Sequence, residues 1–166
     1  GGSDEAVVEV ETTEAPATTE APTTTAAPAP AGDPLVLASL MPLSGDLASL
    51  GPGIALGAQV AVDQVNALGG VNGQDIVFIE GDSGCNADVA LTGLQDVIAQ
   101  GAQGVMGAAC SSATLALLAS VIEANVALVS PSSTSPQLTT VEKGGMFSRT
   151  APVSYTHLTL PTMFEV

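Results

Sequence analysis

The segment GVMGAACSSATLALLASVIEANVALVSPSSTSPQL, residues 104–138, carries the pattern from which the fold of this chain is predicted. It contains two short apolar runs, at residues 104–109 and 126–129. The segment between them, residues 113–124, is rich in Ala and Leu and contains neither Gly nor Pro. This order predicts two buried parallel strands that are joined by a helix.

Each apolar run is followed by small hydroxyl residues, which are Ser111, Ser112 and Thr114 after the first run and Ser130, Ser132, Ser133 and Thr134 after the second. In an open parallel α/β sheet, the ligand crevice lies outside the carboxyl ends of the strands. Hydroxyls there can cap helix starts, and the N–H groups of a helix start hold anions such as carboxylates. A single such residue is best explained as a cap or turn former, but two clusters on neighbouring strand ends predict a binding site.

The alternation of strands and helices continues on both sides of this stretch. The pattern predicts strands at residues 35–41, 75–82, 104–107 and 126–129, helices at residues 54–68, 87–100 and 113–124, and an extended piece at residues 146–150. The segment between residues 42 and 53 is predicted to be a loop. Strands that alternate with helices at this spacing predict right-handed crossovers and an α/β fold with a doubly wound parallel sheet.

Composition restricts both the core and the partners. The chain is 46% hydrophobic but only 2% aromatic, so its core is predicted to consist of Ala, Val, Leu and Ile, which suit closely packed βα units. Seventeen acids against two bases give a net charge of -15. Phosphate binding needs clustered cations, which argues against nucleic acid and anionic membrane surfaces as partners. No apolar run approaches the roughly 18 residues of a membrane span.

The two ends of the chain differ from its middle. Residues 1–33 repeat Thr, Ala, Pro and Glu and carry seven acids and no base, which predicts a disordered tether. Residues 153–166 hold the only Tyr and the only His and show no helix or strand period. Because VSYTHLTLPT resembles a translated adaptor sequence, we predict a non-native tail and an incomplete folded lobe at residues 34–152.

With these motifs in hand, the chain resembles the leucine/isoleucine/valine-binding family of type I periplasmic binding proteins. The matching segments are PLSGDLASLGPGIALGAQVAVDQVNALGGVNG, GDSGC, GAACSSAT, VSPSSTSPQL and FSRTAP. The resemblance implies the N-terminal lobe of a two-lobed clamshell that closes on an amino acid and serves the membrane permease of an ABC transporter. It implies an extracytoplasmic location, no catalysis and no cofactor. The tether resembles lipoprotein linkers, which implies a signal peptide and a lipid anchor upstream of residue 1.

The same resemblance implies the ligand-binding residues. Ser111 would bind the carboxylate end of the ligand, and Ser132 and Thr134 would hold its charged head, with Ser133 beside them. Leu50 would line the wall of the pocket. Relatives often have an aromatic residue in place of Leu50 and alanines in place of Ser132 and Ser133, so the pocket expected here is more polar than theirs. The family implies an amino acid as the ligand, such as a branched-chain amino acid, and the polar pocket also suits a similar small polar ligand.

A disulfide between Cys85 and Cys110 is also implied by the resemblance. From the residues alone, the two cysteines follow one strand and end the next, and such positions can be adjacent in a parallel sheet. Two buried thiols without a bridge are the alternative. A disulfide would indicate an oxidising, extracytoplasmic compartment.

Enzyme alternatives fit the residues less well. Gly51, Gly53 and Gly57 resemble a dinucleotide fingerprint, with Glu80 or Asp82 as the ribose-binding acid, but the preceding loop is too long and the third Gly is one residue late. Asp82 is interpreted instead as a helix-start acid.

Nucleophilic and metal chemistry find no support in the motifs. Neither Ser111 nor Cys110 lies in a G-x-S-x-G elbow, and the only His, His157, lies in the predicted tail. Two cysteines without a nearby His do not make a zinc site. We interpret Asp88 as a solvated surface acid. The remaining alternative is a sensory or regulatory domain of the same fold, which reports a ligand to a partner protein.

Overall fold

Five parallel strands form one sheet in the order β2-β1-β3-β4-β5. The computed structural model describes residues 32–157, so most of the predicted tether and residues 158–166 of the predicted tail lie outside the described residues. The elements are β1 (Val36–Met41), α1 (Gly51–Ala67), β2 (Val77–Asp82), α2 (Ala87–Ala99), β3 (Gly104–Gly107), α3 (Ser111–Ala124), β4 (Ala127–Ser130), α4 (Gln137–Thr140), β5 (Phe147–Arg149) and a 3₁₀ turn (Ser154–His157).

The strand order confirms the predicted doubly wound sheet. The chain passes from β1 to β2 in one direction and then returns across β1 to β3 and β4. Right-handed crossovers therefore put α1 on one face of the sheet and α2 and α3, which pack against each other, on the opposite face. The reversal of direction between β1 and β3 is the topological switch point, where the loops of such sheets open a crevice.

The core consists largely of aliphatic side chains, as the composition predicts. Leu40, Leu94, Leu117 and Leu128 are fully buried between the sheet and the helices α2 and α3. Gly93 lets α2 approach the sheet closely, because a Cβ atom there would overlap the main-chain oxygen of Asp82. A chain with almost no aromatic residues thus fills its interior by bringing its backbones together.

Two predicted helix starts are wrong and one short helix was not predicted, each for a local reason. Helix α1 begins at Gly51, because Pro52 lies in its first turn, where its missing N–H costs no hydrogen bond. Helix α3 begins at Ser111, so Ser111 belongs to the helix and does not cap it. The predicted loop after β4 contains the short helix α4, which follows Pro136.

Within residues 32–157, none of the helices combines the length and the hydropathy needed to cross a bilayer.

Candidate functional site

The two predicted hydroxyl clusters lie side by side at the carboxyl edge of the sheet. Strands β3 and β4 are neighbours in parallel register, so the start of α3 and the loop after β4 emerge at the same edge. We call residues 131–136 the β4 loop. The main-chain N–H of Ser135 in this loop donates a hydrogen bond to Oγ of Ser111, at 3.2 Å. Two segments separated by 24 residues in sequence therefore meet at one place.

A buried group of hydroxyls holds the β4 loop against the end of β3. The main-chain oxygen of Ala108 accepts hydrogen bonds from Oγ of Ser130 at 2.7 Å and from Oγ of Ser133 at 3.1 Å. Oγ1 of Thr114 lies 3.1 Å from the same oxygen and 2.8 Å from Oγ of Ser133. All three hydroxyl side chains are fully buried. The hydroxyl of Ser133 thus has its partners in the interior, and contact between Ser133 and a ligand stays a prediction.

Ser132 and Thr134 precede and follow Ser133 in the chain and are less buried than Ser133. Ser132 is exposed and donates its hydroxyl hydrogen to the main-chain oxygen of Ala109, at 2.9 Å. Thr134 is half-buried, and its main-chain oxygen accepts a hydrogen bond from the N–H of Ser154 at 3.0 Å. Within residues 32–157, the hydrogen bonds of Thr134 are made by its main-chain oxygen and involve neither its hydroxyl nor its N–H. The loop therefore retains polar groups that a ligand can use.

The first turn of α3 adds an anion-binding element to this edge. Its N-cap residue, Cys110, is extended and makes no side-chain capping bond, and no acid lies in the first turn. The first N–H groups of a helix lack partners within the helix, and the helix dipole makes this end partly positive. Together with Oγ of Ser111, these N–H groups can hold a carboxylate.

Leu50 lies at the end of the loop that connects β1 to α1. Its side chain is 56% exposed, and the residue is the N-cap of α1. Since β1 is the neighbour of β3 in the sheet, this loop borders the switch-point crevice. Contact of Leu50 with a ligand stays a prediction.

Asp82 organises the loop after β1, a role that the sequence analysis missed. Its Oδ1 atom accepts hydrogen bonds from the N–H groups of Leu43 at 2.8 Å, Ser44 at 3.2 Å and Gly84 at 2.7 Å. The interpretation of Asp82 as a helix-start acid is wrong, because Asn86 caps α2. An acid at the end of a strand, followed by a Gly-containing turn, is the signal that could have suggested this role.

The hydrogen bonds to Asp82 also affect its ionisation. Burial acts to raise the pKa of Asp82. Hydrogen bonds from the Ser44 side chain and from the main chain of Gly84, Leu43 and Ser44 outweigh that effect and hold the pKa below its usual value. The ionised carboxylate is therefore the form that keeps the loop in place.

We expect Asp82→Asn to lower the free energy of unfolding at pH 7 by about 1 kcal/mol, because the hydrogen bonds to the ionised carboxylate are weakened. The loss is no larger because the Asp82 carboxylate is partly solvated. A lowered pKa in the folded state gives stability that is complete above the unfolded value, near pH 4, and is lost as the pH falls through the folded value. The difference between wild type and variant in urea denaturation should thus shrink below about pH 4.

Asp46→Asn provides the control for this experiment, since it removes the same charge from an exposed position in the loop after β1, which Asp82 holds. We expect it to change the unfolding free energy at pH 7 by less than about 0.5 kcal/mol. Equal losses in the two variants would contradict the role assigned to Asp82.

A disulfide joins Cys85, in the loop after β2, to Cys110 at the start of α3. Their Cα atoms are 5.3 Å apart. Because β1 lies between β2 and β3, the bridge connects loops on either side of β1 at the carboxyl edge. It thereby ties the first turn of α3, which carries Ser111, to the neighbouring part of the sheet.

Of the three glycines that suggested dinucleotide binding, Gly51 has a packing role. A Cβ atom on Gly51 would overlap the main-chain oxygen of Pro42, so this glycine allows a close contact between α1 and the end of β1. In the part of the chain that the structure describes, no three His, Cys, Asp or Glu residues lie together as metal ligands.

Comparison with known protein families and sequences gives consistent results. Residues 34–162 match the family model described as periplasmic binding protein. The chain is 35% identical over 107 residues to an amino acid binding protein of Pseudomonas aeruginosa, covering 64% of this chain and 29% of that protein. It is 32% identical over 98 residues to the leucine-, isoleucine-, valine-, threonine-, and alanine-binding protein of the same organism, covering 59% and 26%. The chain thus spans less than a third of these relatives.

Solved structures give the same result for the fold. A branched-chain amino acid transporter substrate binding protein from Streptococcus pneumoniae, in complex with isoleucine, superposes with a TM-score of 0.67 and 30% identity, covering 73% of this chain and 34% of that one. An ABC transporter substrate-binding protein from Desulfitobacterium hafniense, in complex with Leu, superposes with a TM-score of 0.63 and 26% identity, covering 73% and 35%.

Proposed function

Because this chain belongs to the periplasmic binding protein family, we propose that it is part of an extracytoplasmic substrate-binding protein that binds an amino acid and delivers it to the permease of an ABC transporter. Residues 34–152 are its first lobe, and the chain catalyses no reaction. The Thr-, Ala-, Pro- and Glu-rich composition of residues 1–33 supports a tether to a lipid anchor. The relatives named for branched-chain amino acids support a ligand of that class.

The hydrogen bond between Ser135 and Ser111 is the observation that carries this proposal. It brings the positive end of α3 next to a loop with main-chain oxygens and an unpartnered threonine hydroxyl. The head of an amino acid carries a carboxylate and an ammonium group close together. The N–H groups of α3 and of Thr134 and the Ser111 hydroxyl suit the carboxylate, while the hydroxyl oxygens of Ser132 and Thr134 suit the ammonium group.

Ligand binding would proceed by closure of two lobes around the amino acid. A ligand shifts such an equilibrium only through contacts that differ between the open and closed states, and these require both lobes. The first lobe alone supplies one side of the site. We therefore expect residues 1–166 to bind amino acids weakly, with a dissociation constant on the order of millimolar.

Titration of the ¹⁵N-labelled chain with L-leucine tests this proposal. We expect the amide signals of Ser111, Ser112 and Thr134 to shift, while leucinamide, which lacks the carboxylate, leaves them in place. Ser111→Ala should weaken binding about tenfold, because it removes a hydrogen bond to a charged group.

Ser112→Ala is the matched control, since Ser112 is the exposed neighbour in the same helical turn. Its affinity should equal that of the wild type. Equal shifts with leucine and leucinamide, or no shift at all, would contradict the proposed site.

A further inference from the structure

Arg149 contacts the β4 loop from the side of β5. It is the last residue of β5, and its Nη1 atom donates hydrogen bonds to the main-chain oxygens of Ser133 at 3.3 Å and Ser135 at 2.7 Å. Its Nη2 atom donates to Oγ1 of Thr139 at 2.6 Å. One guanidinium group thus holds three acceptors across and beyond the loop.

The acceptors that Arg149 binds are notable because the chain is strongly acidic. Arg149 is one of only two basic residues in a chain with 17 acids. Its hydrogen-bond partners among residues 32–157 are nevertheless two carbonyl oxygens and a hydroxyl. Hydrogen bonds from an ionised donor are about twice as strong as neutral ones. Arg149, one of the two basic residues, therefore fixes the conformation of the β4 loop, which carries no charged side chain.

The hydrogen bond to the Ser133 oxygen also acts on the next residue. The Ser133 carbonyl and the Thr134 N–H belong to one peptide group, which is trans. The two bonds of a trans peptide point in opposite directions, so the Thr134 N–H is directed away from Arg149. Within residues 32–157, the hydrogen bonds of Thr134 are made by its main-chain oxygen and leave this N–H available. A charged donor on the carbonyl polarises the peptide and makes the N–H a better donor.

We propose that Arg149 is a positioning residue for the amino-acid head group, which holds the β4 loop in its ligand-binding conformation and strengthens the Thr134 N–H as a donor to the ligand carboxylate. This inference rests on the proposed function. The buried hydroxyls of Ser130 and Ser133 hold the loop from the interior, and Arg149 holds it from the β5 side.

Amide hydrogen exchange tests the holding of the loop without any ligand. In Arg149→Lys and Arg149→Gln, we expect the Ser133 and Ser135 amides to exchange about tenfold faster, while those of Val105 and Leu128 in the core stay within about twofold of wild type. Lysine keeps the positive charge, but it lacks the planar guanidinium group with which arginine reaches three acceptors. The proposal would be overturned if the Ser133 and Ser135 amides of Arg149→Lys exchanged at the wild-type rate. It would also be overturned if the loop and core amides were accelerated equally.

Lys143→Gln is the matched control, because it removes the other positive charge, whose Nζ donates to the main-chain oxygens of Leu138 and Thr139. We expect the exchange of Ser133 and Ser135 to be unchanged in this variant. The same acceleration as in Arg149→Gln would show an effect of net charge and would overturn the proposal.

Titration with L-leucine supplies the second readout. We expect Arg149→Lys to bind at least about threefold more weakly than wild type, with a smaller shift of the Thr134 amide. Equal affinity of variant and wild type would overturn the role of Arg149 and leave the proposed function intact. Failure of the wild type itself to bind would reject the proposed function, and the exchange experiment would still report whether Arg149 holds the loop.

Discussion

Replacement of both Cys85 and Cys110 by alanine is expected to lower the free energy of unfolding by roughly 3 to 4 kcal/mol, the largest effect among the variants considered. The bridge closes a loop of 25 residues, and in the chain-entropy model its loss restores conformational freedom to the unfolded chain. Since a lobe of this size has a total stability of about 5 to 15 kcal/mol, the loss is a large fraction of it. Urea denaturation at pH 7 measures the difference.

Reduction of the wild type provides the control for this prediction. Dithiothreitol should destabilise the wild-type chain by a similar amount and leave the double alanine variant unchanged. We also expect the Ser111 amide to exchange faster in the variant, because the bridge attaches the first turn of α3 to the loop after β2. Cysteines that alkylate freely in the folded, unreduced chain would contradict the disulfide.

Ser130→Ala is expected to cost about 2 kcal/mol, because it removes a hydroxyl that acts as both donor and acceptor in the buried group beneath the β4 loop. Its Oγ donates to the Ala108 oxygen at 2.7 Å and accepts from the N–H of Ser133 at 3.0 Å. Without it, a buried N–H loses its partner, and the desolvation of that group is no longer compensated. Thermal and urea unfolding measure the loss.

Ser132→Ala is the matched control, with the same atoms removed from the same loop at an exposed position. Its hydroxyl makes one hydrogen bond, to the Ala109 oxygen, and water can replace it. We expect a loss of about 0.5 kcal/mol or less. Similar losses in the two variants would mean that burial of the Ser130 hydroxyl does not determine its contribution.

The sequence predicted most of the fold because its signals are local. Apolar runs of strand length, Ala- and Leu-rich helical segments and Gly punctuation each depend on residues within a few positions of one another. The errors lie where a local rule was applied incompletely, as at Pro52, which permits a helix start. The doubly wound sheet is consistent with the right-handed crossovers that nearly all such chains adopt.

The order of residues also predicts that hydroxyl clusters end two neighbouring strands, and hence that they share one edge of the sheet. Which of these hydroxyls are buried, as in Ser133, and which side chains fix the loops depends on how the elements pack. Asp82 reaches the N–H of Leu43, 39 positions away, and Arg149 reaches the oxygen of Ser133, 16 positions away. Such partners are selected by the packing of separate βα units, and no pattern within a single segment contains that information.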